Sequence, residues 1–362
     1  MAAVISQKYF GDELSTWAIL LELVVAGVLV ILAGSRLARL ADTLGQQLGL
    51  GSAFVGILLL ATVTSLPEVV TSGTAVAIGD VDLAFAAIAG SCSFNITLIV
   101  LLNAMVGGGS ILGTARQSHV LTSSFGLVLI SFALLTIVGV ERLADQPALA
   151  QTVELLCMVA IAVTYVGCMR LTHRFEKSLS LPPETSAAST RPSHAHLYAK
   201  IAAVSTVLVV GAWWMAQTGN VLADHPIGWL GRPLGATFVG AGFLAVATSL
   251  PEIVTGIAAV RLGNLDLALG NLFGSNMFNI FVLPMAKGVS LIRGDALLFD
   301  PGTFNGSQAL FTGLLPILLT AIAIGGLTYG SKQRMLRRFG FDSVLIAIVY
   351  GVGMIVLLTS GG

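Results

Sequence analysis

The chain has 362 residues, of which 56% are hydrophobic and 10% charged, and its 18 Lys+Arg balance 18 Asp+Glu. A water-soluble domain carries about 25% charged residues, so this composition cannot cover a soluble core of such size, and a mean hydropathy of +0.92 makes lipid the main solvent. Neutrality excludes the basic face of a nucleic-acid binder, and Cys92, Cys157 and Cys168, an odd number lying in or beside apolar runs, exclude a disulfide scaffold.

Crossing ~30 Å of hydrocarbon takes about 20 apolar residues as helix. In chain order, such stretches fall at 17–38, 51–78, 83–106, 119–140, 148–170, 199–217, 235–261, 265–287, 307–329 and 341–360. The second, third, seventh and eighth carry Pro, Glu, Asn and many Thr/Ser where a lipid-facing helix would have Leu and Val. Lys8 is followed by Asp12 and Glu13, and the first apolar run is too long for a signal core, so no cleavable signal peptide is expected. The Ser/Pro-rich stretch near 171–198 has no apolar periodicity. It reads as a flexible cytoplasmic linker, 172–198, between five-helix halves at 1–171 and 199–362.

Ten spans put the termini and the even-numbered loops on one side. That side holds Lys8, Arg142, Arg232, Lys287 and Arg293, and the other holds the remaining thirteen of the eighteen Lys and Arg. The positive-inside rule makes the richer side cytoplasmic and both termini extracytoplasmic.

Residues 51–96 and 235–280 align without a gap, at an offset of 184, and about half of the paired positions are identical. The matches include the rare residues: Thr64/Thr248, Ser65/Ser249, Pro67/Pro251, Glu68/Glu252, Asp82/Asp266, Ser91/Ser275 and Asn95/Asn279. Five spans separate equivalent positions, an odd number, so the second copy enters the membrane in the opposite sense. The expected fold is therefore an all-α integral membrane protein, ten transmembrane helices in two inverted-topology five-helix repeats. The repeated motifs lie in 51–102 and 235–286. Such folds place a binding site near the midplane.

Each copy reads Thr-Ser-Leu-Pro-Glu. Proline has no N–H and disturbs the carbonyl four residues back, and a freed carbonyl in lipid needs a partner. An ionisable group at a helix centre costs about 2.5–3.5 kcal/mol on insertion scales. Both costs, duplicated at one place, are met by a cation, because carbonyls, hydroxyls and carboxylates are hard oxygen ligands. That set suits Ca²⁺ or Na⁺ rather than Zn²⁺ or Cu. If Glu68 and Glu252 converge, their two negative charges are neutralised by one Ca²⁺, two Na⁺ or two protons, which is the logic of an antiporter. Asn95 and Asn279 add amide oxygens without charge, and Ser91 and Ser275 lie four residues earlier on the same helix face.

Blander roles fit other residues. Gly90 and Gly274 are expected to serve close packing, Asp82 and Asp266 to cap the following helix, and Glu22 and Glu154, which lack repeat partners, to serve interfaces or packing. The histidines at 119, 173, 194, 196 and 225 fall in loops or at span ends without metal spacing, His194 and His196 as a solvated linker feature.

These motifs resemble the two α-repeats of the sodium/calcium exchanger family, within the calcium/cation antiporter superfamily: T-S-L-P-E followed by G-S-x-x-x-N, twice. The resemblance implies that Glu68 and Glu252 are the central acidic ligands and that Thr64 and Thr248 give carbonyls to Ca²⁺. It implies that Ser65, Ser249, Ser91 and Ser275 give hydroxyls, and Ala61 and Ala245 carbonyls, to flanking Na⁺ sites, with Asn95 and Asn279 completing the middle. The first and sixth spans would slide over an eight-helix core. No cofactor and no protein partner are implied; Ca²⁺, Na⁺ or H⁺ are cargo, and the bilayer of a plasma or inner membrane is the surroundings. The chain departs from the family in having Val63 or Ala247 where many relatives have Gly, Cys92-Ser93 where they read Asn-x, and Asn279 where many carry Asp. The last departure bears on Na⁺ coupling and keeps H⁺/Ca²⁺ exchange, or another divalent cargo, as the alternative. From other classes, an intramembrane enzyme would have only Ser65 beside Glu68 as candidate machinery, and a non-transporting membrane scaffold would show no Ca²⁺-dependent protection in detergent.

Overall fold

The computed structural model describes residues 16–107, 109–179, 194–224, 248–329, 334–336 and 339–360. These are almost wholly helical. In chain order they form α1 (Thr16–Leu48), α2 (Ser52–Thr64), α3 (Leu66–Ile78), α4 (Val81–Val106), α5 (Ser118–Arg142), α6 (Pro147–Leu179), α7 (His194–Asp224), α8 (Leu250–Arg261), α9 (Leu265–Arg293), α10 (Gly306–Tyr329) and α11 (Phe341–Ser360). Two short antiparallel strands, β1 (Arg334–Leu336) and β2 (Phe339–Gly340), precede α11.

Every expected span meets a helix. Among the described residues seven helices are long and apolar enough to cross a membrane, and α2 with α3 makes an eighth as one span bent by 43°. Residues 235–247, which open the seventh expected span, lie outside the described residues.

Several helices outrun the apolar windows. α1 continues to Leu48 and α6 to Leu179, and α7 is described from His194, so both ends of the stretch 172–198 are helical; residues 180–193 lie outside the described residues. An apolar window ends where the hydrocarbon ends, but backbone hydrogen bonding continues into water when side chains support it. In α1, Gln46 donates to Asp42 one turn back at 2.9 Å. In α6, the carboxylate of buried Glu176 accepts from Arg116 at 3.1 Å. His196 stands exposed in the first turn of α7 rather than in a linker.

α9 lies at the centre, packed on α2, α3, α4, α5, α6 and α8. α1 packs chiefly on α7 and α8, and Trp214 Nε1 on α7 donates to Glu22 on α1 at 3.2 Å. Glycines set how near α2 and α9 come. A Cβ on Gly56 would lie 2.5 Å from the Leu267 carbonyl oxygen, one on Gly270 2.4 Å from that of Ala53, and one on Gly274 2.6 Å from Ile57 Cα. The close-packing role expected of Gly274 is thus met. Gly90 has nothing within 4 Å of its notional Cβ among the described residues. Facing Gly270 and Gly274, α2 takes a π turn over Gly56–Leu60, a local widening common near functional sites.

The capping expectation for Asp82 and Asp266 is corrected. Asp80 and Asn264 cap α4 and α9, accepting from Leu83 N at 2.9 Å and Leu267 N at 3.1 Å. An N-cap side chain reaches the third backbone N–H ahead, and Asp82 and Asp266 already lie inside the first turn. They reach other elements instead. Asp82 accepts from Asn305 N, just before α10, at 2.9 Å. Asp266 accepts from Arg116 N, just before α5, at 3.1 Å and pairs with His119 at the same distance.

Glu154 has the packing role its lack of a repeat partner predicted. Fully buried in α6, it accepts from Leu298 N and Phe299 N and pairs with Lys287 Nζ at 2.6 Å. Lys287 also donates to the Ala296 carbonyl at 2.9 Å. The pair clamps the 294–305 connection onto the helices.

Candidate cation site

The site begins at two matching turns. Between α2 and α3, Ser65 has φ −90° and ψ 6°; before α8, Ser249 has φ −89° and ψ 5°. The same sequence turns the chain in the same way twice. Pro67 and Pro251 follow in the first turn of α3 and α8, where a missing N–H costs no hydrogen bond and the fixed φ suits the helix. Glu68 and Glu252 then fall in that same first turn. There the unpaired N–H groups and the positive end of the helix dipole favour a carboxylate. Proline therefore brings a helix N-terminus into the protein interior, and the glutamate occupies it.

The two motifs meet. Ser65 Oγ, from the first, donates to Glu252 Oε1, from the second, at 3.3 Å. Ser91 Oγ on α4 reaches Glu68 Oε1 at 3.5 Å. Thr64 Oγ1 lies 3.4 Å from Ser275 Oγ on α9 and 3.5 Å from the Ala61 carbonyl oxygen. All of the expected site residues within the described chain, namely Ala61, Thr64, Ser65, Glu68, Ser91, Asn95, Thr248, Ser249, Glu252, Ser275 and Asn279, are buried. Ala245 lies outside the described residues.

Among the described residues, Oε2 of Glu68, Oε2 of Glu252, Oγ of Ser249 and both amide atoms of Asn95 and Asn279 are buried without a hydrogen-bond partner. Buried polar groups are normally satisfied, and each left without a partner costs about 1–3 kcal/mol. These orphaned oxygens include one from each glutamate, and Asn95 and Asn279 stand one helical turn beyond Ser91 and Ser275; they are of the kind that an oxygen-coordinated cation would satisfy. The described residues hold no group of three or more His, Cys, Asp or Glu that could bind a metal, and the donors here are two carboxylates with neutral oxygens.

Two residues of the site's surroundings escaped the repeat comparison. Asn271 on α9 is matched by Ala87 in the first copy, so no duplication drew attention to it. Thr255 is matched by Thr71, but one threonine in an apolar helix carries little signal. The three-dimensional structure joins them to the site: Thr64 Oγ1 donates to Asn271 Oδ1 at 3.2 Å, and Asn271 Nδ2 donates to Thr255 Oγ1 at 2.9 Å.

A family model described as sodium/calcium exchanger protein matches residues 18–171 and 196–359. The chain belongs to the sodium/calcium exchanger family. It is 30% identical over 265 residues to the inner membrane protein YrbG of Escherichia coli, covering 72% of this chain and 76% of that one. It is 32% identical over 150 residues to the sodium/calcium exchanger MaX1 of Methanosarcina acetivorans, covering 41% and 37%. A solved structure of the sodium-calcium exchanger NCX_Mj, soaked with Na⁺ and Sr²⁺, superposes with a TM-score of 0.67 at 17% identity, covering 93% of this chain and 98% of that one. The fold is thus shared with that exchanger. This family member is a multi-pass membrane protein of an antiporter family.

Proposed function

We propose that this protein is a secondary antiporter that exchanges Ca²⁺ for Na⁺ by alternating access, with Glu68 and Glu252 as the central ligands. The reading is carried by one observation: two helices that start at Leu-Pro-Glu bring the two motifs to one buried cluster, where Ser65 of one motif bonds Glu252 of the other. The atoms left without partners there supply the remaining oxygens. Ala61, Ala245, Thr64, Thr248, Ser65, Ser249, Ser91, Ser275, Asn95 and Asn279 surround the pair in this reading.

Two carboxylates give the empty site two negative charges. Moving them uncompensated through the low-dielectric interior is costly, so the empty site is reluctant to reorient and Ca²⁺ or monovalent cations must load it first. Exchange follows from that condition without ATP. In this reading the ten spans form two inverted five-helix repeats, with both termini extracytoplasmic and the connection between α6 and α7 on the cytoplasmic side. α1 and α7 move together over the remaining helices. Their mutual packing and the Trp214–Glu22 bond support motion as a unit.

Flux of radioactive Ca²⁺ into proteoliposomes, driven in turn by imposed Na⁺, K⁺ and H⁺ gradients, tests the reading. Na⁺-driven uptake is the expected result. Uptake driven by H⁺ and indifferent to Na⁺ would replace Na⁺ as the counter-ion, a reading favoured by the neutral Asn279 where many relatives have an acid. No Ca²⁺ flux under any gradient would overturn the proposal.

A further inference from the structure

Asn271 is fully buried, and both ends of its amide are engaged. Thr64 Oγ1 donates to its Oδ1 at 3.2 Å; its Nδ2 donates to Thr255 Oγ1 at 2.9 Å; Thr255 Oγ1 donates in turn to the Pro251 carbonyl at 2.7 Å. The chain therefore runs from the threonine of the first motif to the proline of the second. The competing acceptors lie farther off, the Ala61 carbonyl 3.5 Å from Thr64 Oγ1 and the Glu252 carbonyl 3.3 Å from Thr255 Oγ1. With the Thr64 proton on Asn271, the contact of 3.4 Å between the Thr64 and Ser275 oxygens is left for Ser275 to donate. The Thr64 oxygen is thereby turned with its lone pairs away from Asn271.

The backbone beneath Asn271 has little latitude. Its own N would lie 2.9 Å from a Cβ on Gly56, and the preceding Gly270 abuts the Ala53 carbonyl. The amide is therefore aimed by close backbone packing of α9 on α2. Around the other glutamate the arrangement is different. Thr71 Oγ1 donates to the Pro67 carbonyl at 2.9 Å, matching Thr255 and Pro251, but position 87 is alanine and no amide extends the chain.

We propose that Asn271 is a positioning residue that fixes the Thr64–Ser275–Glu252 flank of the site for a monovalent cation and makes it inequivalent to the flank around Glu68. This rests on the antiporter reading above. The flank offers one carboxylate, two hydroxyls and the Ala61 carbonyl, a single negative charge among neutral oxygens, which matches a cation of charge one. Two carboxylates together are the better match for Ca²⁺. Loosening Asn271 therefore weakens the monovalent load while leaving the divalent load nearly unchanged.

The test uses N271A and T255V in the full chain, reconstituted in proteoliposomes beside the unsubstituted protein. T255V keeps side-chain shape, removes the relay's last hydroxyl and leaves the Thr64–Asn271 bond in place, so it decides the matter if N271A does not fold. Both variants are expected to raise the Na⁺ half-saturation by about five-fold, the loss expected for one hydrogen bond, while the Ca²⁺ half-saturation shifts by less than about two-fold. An unchanged Na⁺ half-saturation, or an equal shift for both cations, would overturn the inference. The unsubstituted protein separates the two levels: absence of Na⁺-driven Ca²⁺ flux there means that the Na⁺ coupling of the reading above has failed, whereas normal flux there with unaltered variants means that only the role of Asn271 has.

Discussion

Asn276 Nδ2 donates to the carbonyl of Cys92 at 3.1 Å, and Cys92 Sγ lies 3.6 Å from the carbonyl of Asn276. These two residues are 184 positions apart, the offset at which the two copies align, so each touches its own counterpart. Residues related by a two-fold axis meet their counterparts only close to that axis. The contact therefore supports an axis running between α4 and α9, with the glutamate cluster beside it. It also gives a reason for the departure at Cys92: with asparagine on one side and a small thiol on the other, two equivalent backbones approach without two amides competing for one space.

Neutralising either glutamate tests the central pair. E68Q and E252Q keep shape but remove a charge that the cation must replace. Each is expected to lower Ca²⁺ uptake into vesicles at least about 100-fold, since a charged ligand to a buried ion contributes several kcal/mol. Elution as a single species in detergent establishes that folding is intact. Ordinary uptake by either variant would remove the basis of the site assignment.

Function and stability should oppose one another at Asn279. Both its amide atoms are buried without partners among the described residues. N279L, similar in volume, removes those unpaired groups and is expected to stabilise the ion-free protein by about 1–3 kcal/mol. Transport should fall at the same time. Thermal unfolding in detergent without Ca²⁺ or Na⁺, read beside flux, checks both directions; a destabilised N279L would show that the amide is structural.

The α2–α9 contact admits no added carbon at Gly274, whose notional Cβ would lie 2.6 Å from Ile57 Cα and 2.8 Å from Ala61 Cβ. G274A is therefore expected to cost about 1–3 kcal/mol by overpacking. Because the backbone of Ala61 is displaced, cation affinity should also weaken. Unfolding temperature and ion-dependent stabilisation measure the two effects separately.

The Glu154–Lys287 pair should be structural alone. K287M leaves a buried carboxylate with only its backbone donors and is expected to cost about 3–5 kcal/mol. The double variant E154Q/K287M removes both charges and should recover part of that loss. Transport per folded molecule is expected to stay near normal in the double variant, measured as flux normalised to monodisperse protein.

Composition and the duplicated Thr-Ser-Leu-Pro-Glu motif determine the membrane setting, the helical class and the identity of the acidic residues, because apolar length and repeated rare residues are local properties of a sequence. Residues such as Asn271 and Thr255 became visible only in three dimensions: the hydrogen bond that ties them to the first motif joins Thr64 and Asn271, on helices far apart in the chain, and no internal duplication marks Asn271. The true caps, Asp80 and Asn264, were also decided by geometry, since a shift of two residues changes which backbone N–H a side chain can reach. Helix lengths past the hydrocarbon edge depended likewise on partners such as Arg116 for Glu176. The sequence by itself determined which polar atoms are duplicated in the two motifs. Tertiary structure alone decided which of those atoms are already committed to one another, because commitment depends on distances that packing of α9 against α2 sets.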